Sequence, residues 1–300
     1  MAGPVRGTQK LVDQMGWVFR RPFLVLIEIG WRWLFGVPFL LVCWLEARRI
    51  LAVLPPESTG WTNLDTQNPW VAAVQLADVW ARYQPHVQAL AGWLVPLAAL
   101  AWIVVSGLGR ALVLTRLEPG LGLRPVALMA LQALWLAMLG FIFFAWFRSI
   151  SWVAATHIDP AGEPDLVGYS IWAIFLSLGF FTLWALVSWP FAIAPMLMLL
   201  EDRSAFSALI ESFRLERSFT GKLMETNLVM GIVKLALIVL AMVFSAAPLP
   251  FSDALGAGAM HLVWIGATLF YLVASDYFHL VRLKGFVEFW RTYRGGAGAA

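Results

Sequence analysis

The stretch LVGYSIWAIFLSLGFFTLWALVSWPFAIAPMLMLL, from Leu166 to Leu200, decides the fold. It contains no Asp, Glu, Lys or Arg, and it is longer than the roughly 20 apolar residues that a transmembrane helix needs. As a helix it would extend about 50 Å, against about 30 Å for the hydrocarbon core of a bilayer. Pro190 and Pro195 each remove a backbone donor, so we expect a kink or a break over residues 189–195.

The composition of the whole chain indicates the same class. Of its 300 residues, 61% are hydrophobic and 13% are charged, whereas soluble domains are about 45–50% apolar and about 25% charged. The 17 Trp and 21 Phe residues fit a membrane protein, because aromatic side chains anchor helices at the lipid–water boundary. The net charge of +3 comes from basic residues at the ends of apolar stretches, without a continuous basic stripe, so we expect no nucleic-acid partner.

Apolar stretches and their flanks place six spans along the chain. We predict them at residues 22–45, 87–114, 125–147, 166–200, 228–247 and 257–277. Strands of a barrel would alternate polar and apolar residues, and these stretches do not. The sequence therefore predicts an all-α fold, in which a single domain forms a polytopic bundle of six transmembrane helices.

The orientation follows from Lys and Arg, which are enriched on the cytoplasmic side of membrane proteins. Of the 21 Lys and Arg residues, Arg32 and Lys234 fall within predicted spans. Four lie on one side of the bundle: Arg48, Arg49, Arg82 and Arg148. The remaining fifteen, Arg110 among them, lie on the other side. We therefore predict a multi-pass protein of a prokaryotic inner membrane with both termini cytoplasmic.

The longest predicted outer segment covers residues 46–86. Pro55-Pro56 and the following Ser-Thr-Gly mark turns. Asn68-Pro69 has the pattern of a helix N-cap followed by proline at the first helical position. We expect an extracytoplasmic loop with a short helix on the outer membrane surface. A lid over a binding site is the alternative.

Two cytoplasmic segments have the pattern of amphipathic helices. Over residues 201–225, Phe206, Ile210 and Phe213 share one face, and charged residues occupy the rest. This pattern fits a helix that rests on the membrane, or a docking surface for another protein. Residues 283–294 repeat the pattern, and their Lys and Arg side chains can reach anionic lipid headgroups. We predict both segments as interfacial helices.

A short motif resembles a known group of proteins. Glu201 follows Pro195 by six residues, and Ala208 and Ser212 then form an Ala-x-x-x-Ser pattern. This arrangement resembles a loose group of prokaryotic six-span membrane proteins, which includes the membrane domain of some glycerophosphodiester phosphodiesterases and related uncharacterised families. The resemblance implies the six-span topology. We expect no phosphodiesterase activity, because every part of the sequence is already assigned to spans and their connections.

Four polar residues within predicted spans form a candidate intramembrane polar site: Glu28, Arg32, Gln132 and Lys234. Glu28 and Arg32 are four residues apart, which places them on one helical face about one turn apart. A lone charge at the bilayer centre costs roughly 2.5–3.5 kcal/mol on insertion scales, so we expect an internal ion pair that orients the first helix. The alternatives are a polar site or ion path inside the bundle, and a contact with a partner subunit. We expect Lys234 to reach the membrane surface and Gln132 to join neighbouring helices.

The sequence offers little support for catalysis. Its histidines do not have metal-ligand spacing, although Asp276 and His279 could share a face, and Cys43 is the only cysteine. We therefore expect no metal and no cofactor. A phosphate-cradling Gly loop and a Gly-x-Ser-x-Gly elbow are both absent from the sequence.

These features predict a non-enzymatic structural or accessory component that interacts with the lipid bilayer or with partner membrane proteins. The alternative is a transporter or permease subunit whose cytoplasmic helix couples to a motor protein. A transporter needs a polar, water-accessible site near the midplane, and the sequence offers few central polar residues. A membrane-embedded lipid enzyme, a third class, would need clustered acids or histidines that face a cavity.

Overall fold

The described part of the chain is built from helices. The computed structural model describes residues 7–64, 69–158, 165–214, 232, 236 and 257–297, and no strand occurs among them. The helices are α1 (Gly7–Phe19), α2 (Pro22–Val53), α3 (Pro56–Thr59), α4 (Pro69–Leu117), α5 (Pro125–His157), α6 (Leu166–Leu200), α7 (Ala205–Arg214) and α8 (Ala257–Ala297), with a 3-10 turn at Trp61–Asn63. The predicted all-α class is confirmed for this part of the chain.

Proline and aspartate set the starts of the long helices. Pro22, Pro69 and Pro125 are the first residues of α2, α4 and α5, where a residue without a backbone N–H loses no helical hydrogen bond. Asp165 caps α6, because its carboxylate accepts a hydrogen bond from the backbone N–H of Gly168 at 2.8 Å. These residues therefore fix where each apolar stretch becomes helical.

Four of the described helices contain segments long and apolar enough to cross a bilayer: Pro22–Val53, Val74–Leu117, Pro125–His157 and Leu166–Leu200. Large apolar side chains on them are exposed, such as Leu40, Phe144 and Phe175 at 67%, 65% and 66%. Exposing apolar area to water costs about 25 cal/mol per Å², whereas lipid tails solvate it. The surfaces of these four candidate spans therefore fit hydrocarbon better than water.

The last two predicted spans are not among these four candidate spans. The fifth, at residues 228–247, lies outside the described residues apart from Ile232 and Ala236, which are helical. The sixth, at residues 257–277, forms the first half of α8, which continues to Ala297. Six crossings and two cytoplasmic termini stay predictions.

Most of the predicted outer loop is helical. α4 begins at Pro69, where the sequence predicted a short surface helix, but it continues through Pro85 and Pro96 to Leu117. No glycine or asparagine lies between Pro69 and His86 to end a helix, so the Ala-rich sequence continues it. The 49 residues of α4 extend about 73 Å, beyond the roughly 40–45 Å of a bilayer with its headgroups. The separate surface helix is therefore replaced by an extension of the second span.

α6 runs unbroken from Leu166 to Leu200 through Pro190 and Pro195, so the break that the sequence allowed is absent, and a kink stays a prediction. Packing accounts for the continuity. Pro190 and all residues from Ile193 to Leu199 are buried, and surrounding helices hold the backbone in place where the prolines remove hydrogen bonds.

The apolar core lies at one end of the bundle. We call it the buried end, and define it as the end at which α2 begins and α4 and α6 finish. Buried side chains from seven helices form one cluster there, including Val18, Leu117, Leu197, Ala208 and Leu280. The rest of the long helices exposes apolar side chains. The buried end is therefore where protein, rather than lipid, surrounds the side chains.

The second half of α8 belongs to this core. Phe286 and Trp290 are buried, and α8 packs against α1, a helix that the sequence did not predict. Gln14 of α1 donates a hydrogen bond to Glu288 of α8 at 3.1 Å. Residues 283–294 therefore continue α8 and form no separate helix. Their location at the membrane interface stays a prediction.

Candidate functional site: a buried network of charged side chains

Glu28 lies at the centre of a group of charged side chains at the buried end. It is 1% exposed, and both of its carboxylate oxygens have donors. Trp31 Nε1 donates to Oε2 at 2.9 Å, and Arg32 Nε donates to Oε1 at 2.8 Å. Spacings of three and four residues along α2 bring both donors to the same face. Glu28 and Arg32 therefore form the ion pair that their spacing predicts.

Arg32 links α2 to α8. Its Nη1 lies 3.0 Å from Asp276 Oδ1, and its Nη2 lies 2.5 Å from Glu28 Oε1. A guanidinium can serve two carboxylates because its N–H groups point in fixed, different directions. One turn further along α8, His279 Nε2 lies 3.7 Å from Glu28 Oε1. Charged groups therefore connect two helices from opposite ends of the sequence.

Two more arginines complete the group. Arg282 Nη2 lies 2.9 Å from His279 Nδ1, so Nδ1 accepts this hydrogen bond and the neutral ring carries its proton on Nε2. The pKa of Arg282 is lowered to about 10, chiefly by burial and also by nearby Arg110 and Arg32, while Glu28 opposes them. Arg110 of α4 lies within electrostatic range of Glu28. We name this group the Glu28 network; its members are Glu28, Arg32, Arg110, Asp276, His279 and Arg282.

A small cavity of about 70 Å³ adjoins the network. Its polar lining comes from Glu28, Arg110, His279 and Arg282. Its apolar lining comes from α4, α6 and α8: Val113, Leu114, Ala192, Pro195, Met196 and Leu283. Since one water needs about 10–15 Å³, the cavity has room for several waters or for one small ion.

Glycine allows the close packing that positions Trp31, a donor to Glu28. A methyl group added at Gly109 of α4 would overlap the Trp31 ring. A methyl group at Gly107 would likewise overlap Met129 of α5. The two glycines therefore permit α4 to approach α2 on one side and α5 on the other.

The other predicted members of the intramembrane polar site lie apart. Gln132 is buried in α5 with 5% exposure, and it is not part of the cavity lining. Lys234 lies outside the described residues. Of the four predicted residues, the structure therefore brings together Glu28 and Arg32.

The four motif positions surround the connection from α6 to α7. Pro195 lines the cavity, and Glu201 accepts a hydrogen bond from Arg203 Nε at 2.6 Å. Ala208 and Ser212 are fully buried on α7, which packs against α6. The Ser212 hydroxyl donates to a backbone carbonyl of the preceding turn at 2.6 Å. The small side chains of the motif therefore let α7 fold back closely onto α6.

An aspartate shapes this turn. Asp202 has a φ of 56°, a left-handed conformation that aspartate adopts more readily than most residues. Its carboxylate pairs with Arg124, and Arg124 Nη1 donates to the carbonyl of Arg203 at 3.3 Å. The turn is therefore tied to the start of α5.

α7 covers only part of the predicted cytoplasmic helix. It spans Ala205–Arg214, and residues 215–225 lie outside the described part. Phe206 and Phe213 are 65% and 60% exposed, on a helix whose other face is buried. The amphipathic character of this helix and its location at a membrane surface stay predictions.

Sequence reasoning missed most of the network. From sequence, Arg110 counts among the cytoplasmic cations, whereas the structure places it inside α4 beside the cavity. Asp276 and His279 share a face as expected, but nothing local connects them to Glu28. The available signal was the position of Arg110 within the apolar stretch 87–114, which is costly unless protein surrounds it.

Comparisons with protein-family models, curated proteins and solved structures find no match to this chain. Among the described residues, no group of three or more His, Cys, Asp and Glu side chains is arranged to hold a metal ion. The site therefore consists of hydrogen bonds, ion pairs and a cavity that arginine side chains line.

Proposed function

We propose that this chain is a non-enzymatic, multi-pass protein of a prokaryotic inner membrane, with both termini cytoplasmic. It serves as a structural or accessory component in contact with lipids or with partner membrane proteins. Four candidate spans support the membrane location, and the distribution of Lys and Arg supports the orientation.

The Glu28 network is the observation that carries the structural role. Arg32 is held by carboxylates of α2 and α8, so its charge is used to join helices. The adjoining cavity is about 70 Å³, which is small for the water-accessible path that a transporter needs near the midplane. The polar groups of the bundle therefore serve helix association in this proposal.

A transporter or permease subunit is the second candidate. The exposed Phe206 and Phe213 of α7 favour it, because a short amphipathic helix with exposed aromatic side chains can couple to a motor protein. In that case the cavity beside Arg110 would open in turn to each side of the membrane.

Thiol accessibility distinguishes the two candidates. In a Cys43→Ser background, Val113→Cys places a thiol in the cavity lining, and Ala192→Cys serves if the first variant does not fold. Both are treated with a membrane-impermeant maleimide in right-side-out and inverted vesicles. We expect reaction from the cytoplasmic side or from neither side. Reaction from both sides would favour the transporter.

The orientation has its own test in the same background. Leu123, between α4 and α5, is 63% exposed, and Gly162 belongs to the predicted outer connection between α5 and α6. We expect Gly162→Cys to react in right-side-out vesicles and Leu123→Cys to react only in inverted vesicles. The opposite pattern would overturn the proposed topology.

A further inference from the structure

The Glu28 network contains more positive than negative charge. Three guanidinium groups belong to it, together with only two carboxylates. Both carboxylates, Glu28 and Asp276, are engaged by Arg32. His279 is neutral, because its Nδ1 accepts a hydrogen bond from Arg282. The network therefore carries a net charge of one positive unit, and within the described residues neither Arg110 nor Arg282 forms an ion pair with a carboxylate.

These two arginines also have unused donors. Within the described part of the chain, Arg110 forms no hydrogen bond and no ion pair, and its side chain lines the cavity. Arg282 Nε is buried and has no hydrogen-bond partner among the same residues. Buried donors and charges are unfavourable without partners. The two helices that carry these arginines therefore present unsatisfied donors to one cavity.

The remaining polar lining is compatible with an anion. Glu28 would repel one, but its two oxygens already accept from Trp31 and Arg32, and the three arginines outnumber the two carboxylates of the network. The volume of about 70 Å³ exceeds what a single water needs. Guanidinium groups match the geometry of phosphate oxygens, which can accept from two arginines at once.

We propose that this cavity binds a phosphate group, with the guanidinium groups of Arg110 and Arg282 as its ligands. The phosphate would supply the missing negative charge between α4 and α8. Its source is either a lipid headgroup or free phosphate, since both present the same oxygens. The proposal goes beyond a structural role, because it gives the buried end a ligand.

Thermal unfolding tests the proposal on the purified full-length protein in neutral detergent. Inorganic phosphate replaces chloride at constant ionic strength, and tryptophan fluorescence reports the Tm. A second series uses micelles that contain dioctanoyl phosphatidic acid, compared with dioctanoylglycerol, which has the same chains without phosphate. We expect a saturable rise in Tm with at least one of the two phosphate probes. A rise with phosphatidic acid alone identifies the lipid headgroup, and a rise with inorganic phosphate identifies the free ion.

Substitutions of single arginines test whether the rise in Tm comes from phosphate bound in this cavity. Arg110→Gln should raise the half-saturating concentration by about tenfold or more, because that is the contribution of a charge-assisted hydrogen bond. Arg116→Gln is the matched control, since Arg116 lies on the same helix over the Phe23 ring and outside the cavity lining. It should leave the half-saturating concentration unchanged. If Arg110→Gln does not fold, Arg282→Gln gives the same comparison.

Two results would overturn the proposal. One is the absence of a saturable shift with either phosphate probe in the wild-type protein. The other is an equal shift in the wild type and in the Arg110 or Arg282 variant, which would place the binding elsewhere.

Discussion

The Glu28 network and the groove between α5 and α6 differ in polarity and in exposure. In the network, two buried carboxylates and their partly buried arginine partners lie within protein, and Glu28 accepts hydrogen bonds of 2.8–2.9 Å. The groove has a volume of about 580 Å³ and an almost entirely apolar lining: Trp135, Leu139, Ile142, Phe143, Trp146, Ser177, Phe180, Phe181 and Trp184. We call it the aromatic groove. Two of its members, Phe143 and Phe181, are 58% and 61% exposed.

The difference indicates which residues determine the fold. Apolar surface gains nothing from burial against another helix when lipid tails are equally apolar, so many side chains would serve in the aromatic groove. A buried charge, in contrast, needs one particular partner in one geometry. The network should therefore be sensitive to single substitutions, and the groove should tolerate them.

The largest effect is expected for Glu28→Ala. It would leave Arg32 with one carboxylate partner and add to the unbalanced positive charge, so we expect a loss of about 3–5 kcal/mol in the free energy of unfolding. Unfolding in mixed detergent micelles measures it. Glu46→Ala is the control on the same helix, because Glu46 pairs with Arg49 at 2.5 Å near the surface. Its loss should be about 0–1 kcal/mol, and equal losses in the two variants would contradict a buried network.

A smaller loss is expected for Gly109→Ala. The added methyl would overlap the Trp31 ring and displace a donor of Glu28, and such overpacking costs about 1–3 kcal/mol. Gly92→Ala on the same helix is the control, since no atom lies near its added methyl. That variant should be neutral or more stable by up to about 1 kcal/mol. The same unfolding measurement checks both, and a Gly109→Ala protein as stable as Gly92→Ala would show that the close packing is dispensable.

Substitutions in the aromatic groove should reduce the free energy of unfolding by less. Trp146 Nε1 donates to Ser177 Oγ at 3.0 Å, and hydrogen bonds between transmembrane helices contribute about 0.6 kcal/mol on average. Trp146→Phe should therefore reduce the free energy of unfolding by about that amount, and Phe143→Leu should have an effect within about 0.5 kcal/mol. A loss as large as that of Glu28→Ala in either variant would remove the contrast between the two regions.

The smallest effect concerns the start of α6 and its dependence on pH. The hydrogen bond from the Gly168 backbone lowers the pKa of Asp165, and a hydrogen bond with His157 lowers it too. The contribution of the carboxylate is therefore complete above the ordinary aspartate pKa of about 3.9. It is lost as the pH falls through the lower pKa of the folded state. Asp165→Asn should flatten stability below about pH 4, as measured by unfolding across pH, and an unchanged slope would contradict this cap.

Local features of the fold could be predicted from sequence, and distant contacts could not. The Glu28–Arg32 pair follows from a spacing of four residues in one helix. The contact of Arg32 with Asp276 joins two segments with no pattern in common, so only the packing of α2 against α8 creates it. Arg110 was counted with the cytoplasmic cations because Lys and Arg mark the cytoplasmic ends of spans on average, although this arginine lies within α4 and lines the cavity.

The extent of the helices shows the same limit. Residues 69–86 contain charged and polar side chains, which predicted a short surface helix separate from the second span, yet helix propensity is enough to continue α4 once Pro69 starts it. The prolines of α6 predicted a kink or a break, and packing from neighbouring helices keeps the helix unbroken. In both places, the amino-acid composition indicated how polar the segment is, but it did not determine where the helix begins or ends.

A double-mutant cycle between Arg32 and Asp276 tests the central claim most directly, namely that a buried ion pair joins α2 to α8. Arg32→Gln, Asp276→Asn and the double variant are unfolded under the same conditions as the wild type. We predict a coupling energy between the two positions within the range of about 0.5–3 kcal/mol found for contacting residues. Additive effects, with a coupling energy of about zero, would contradict the account.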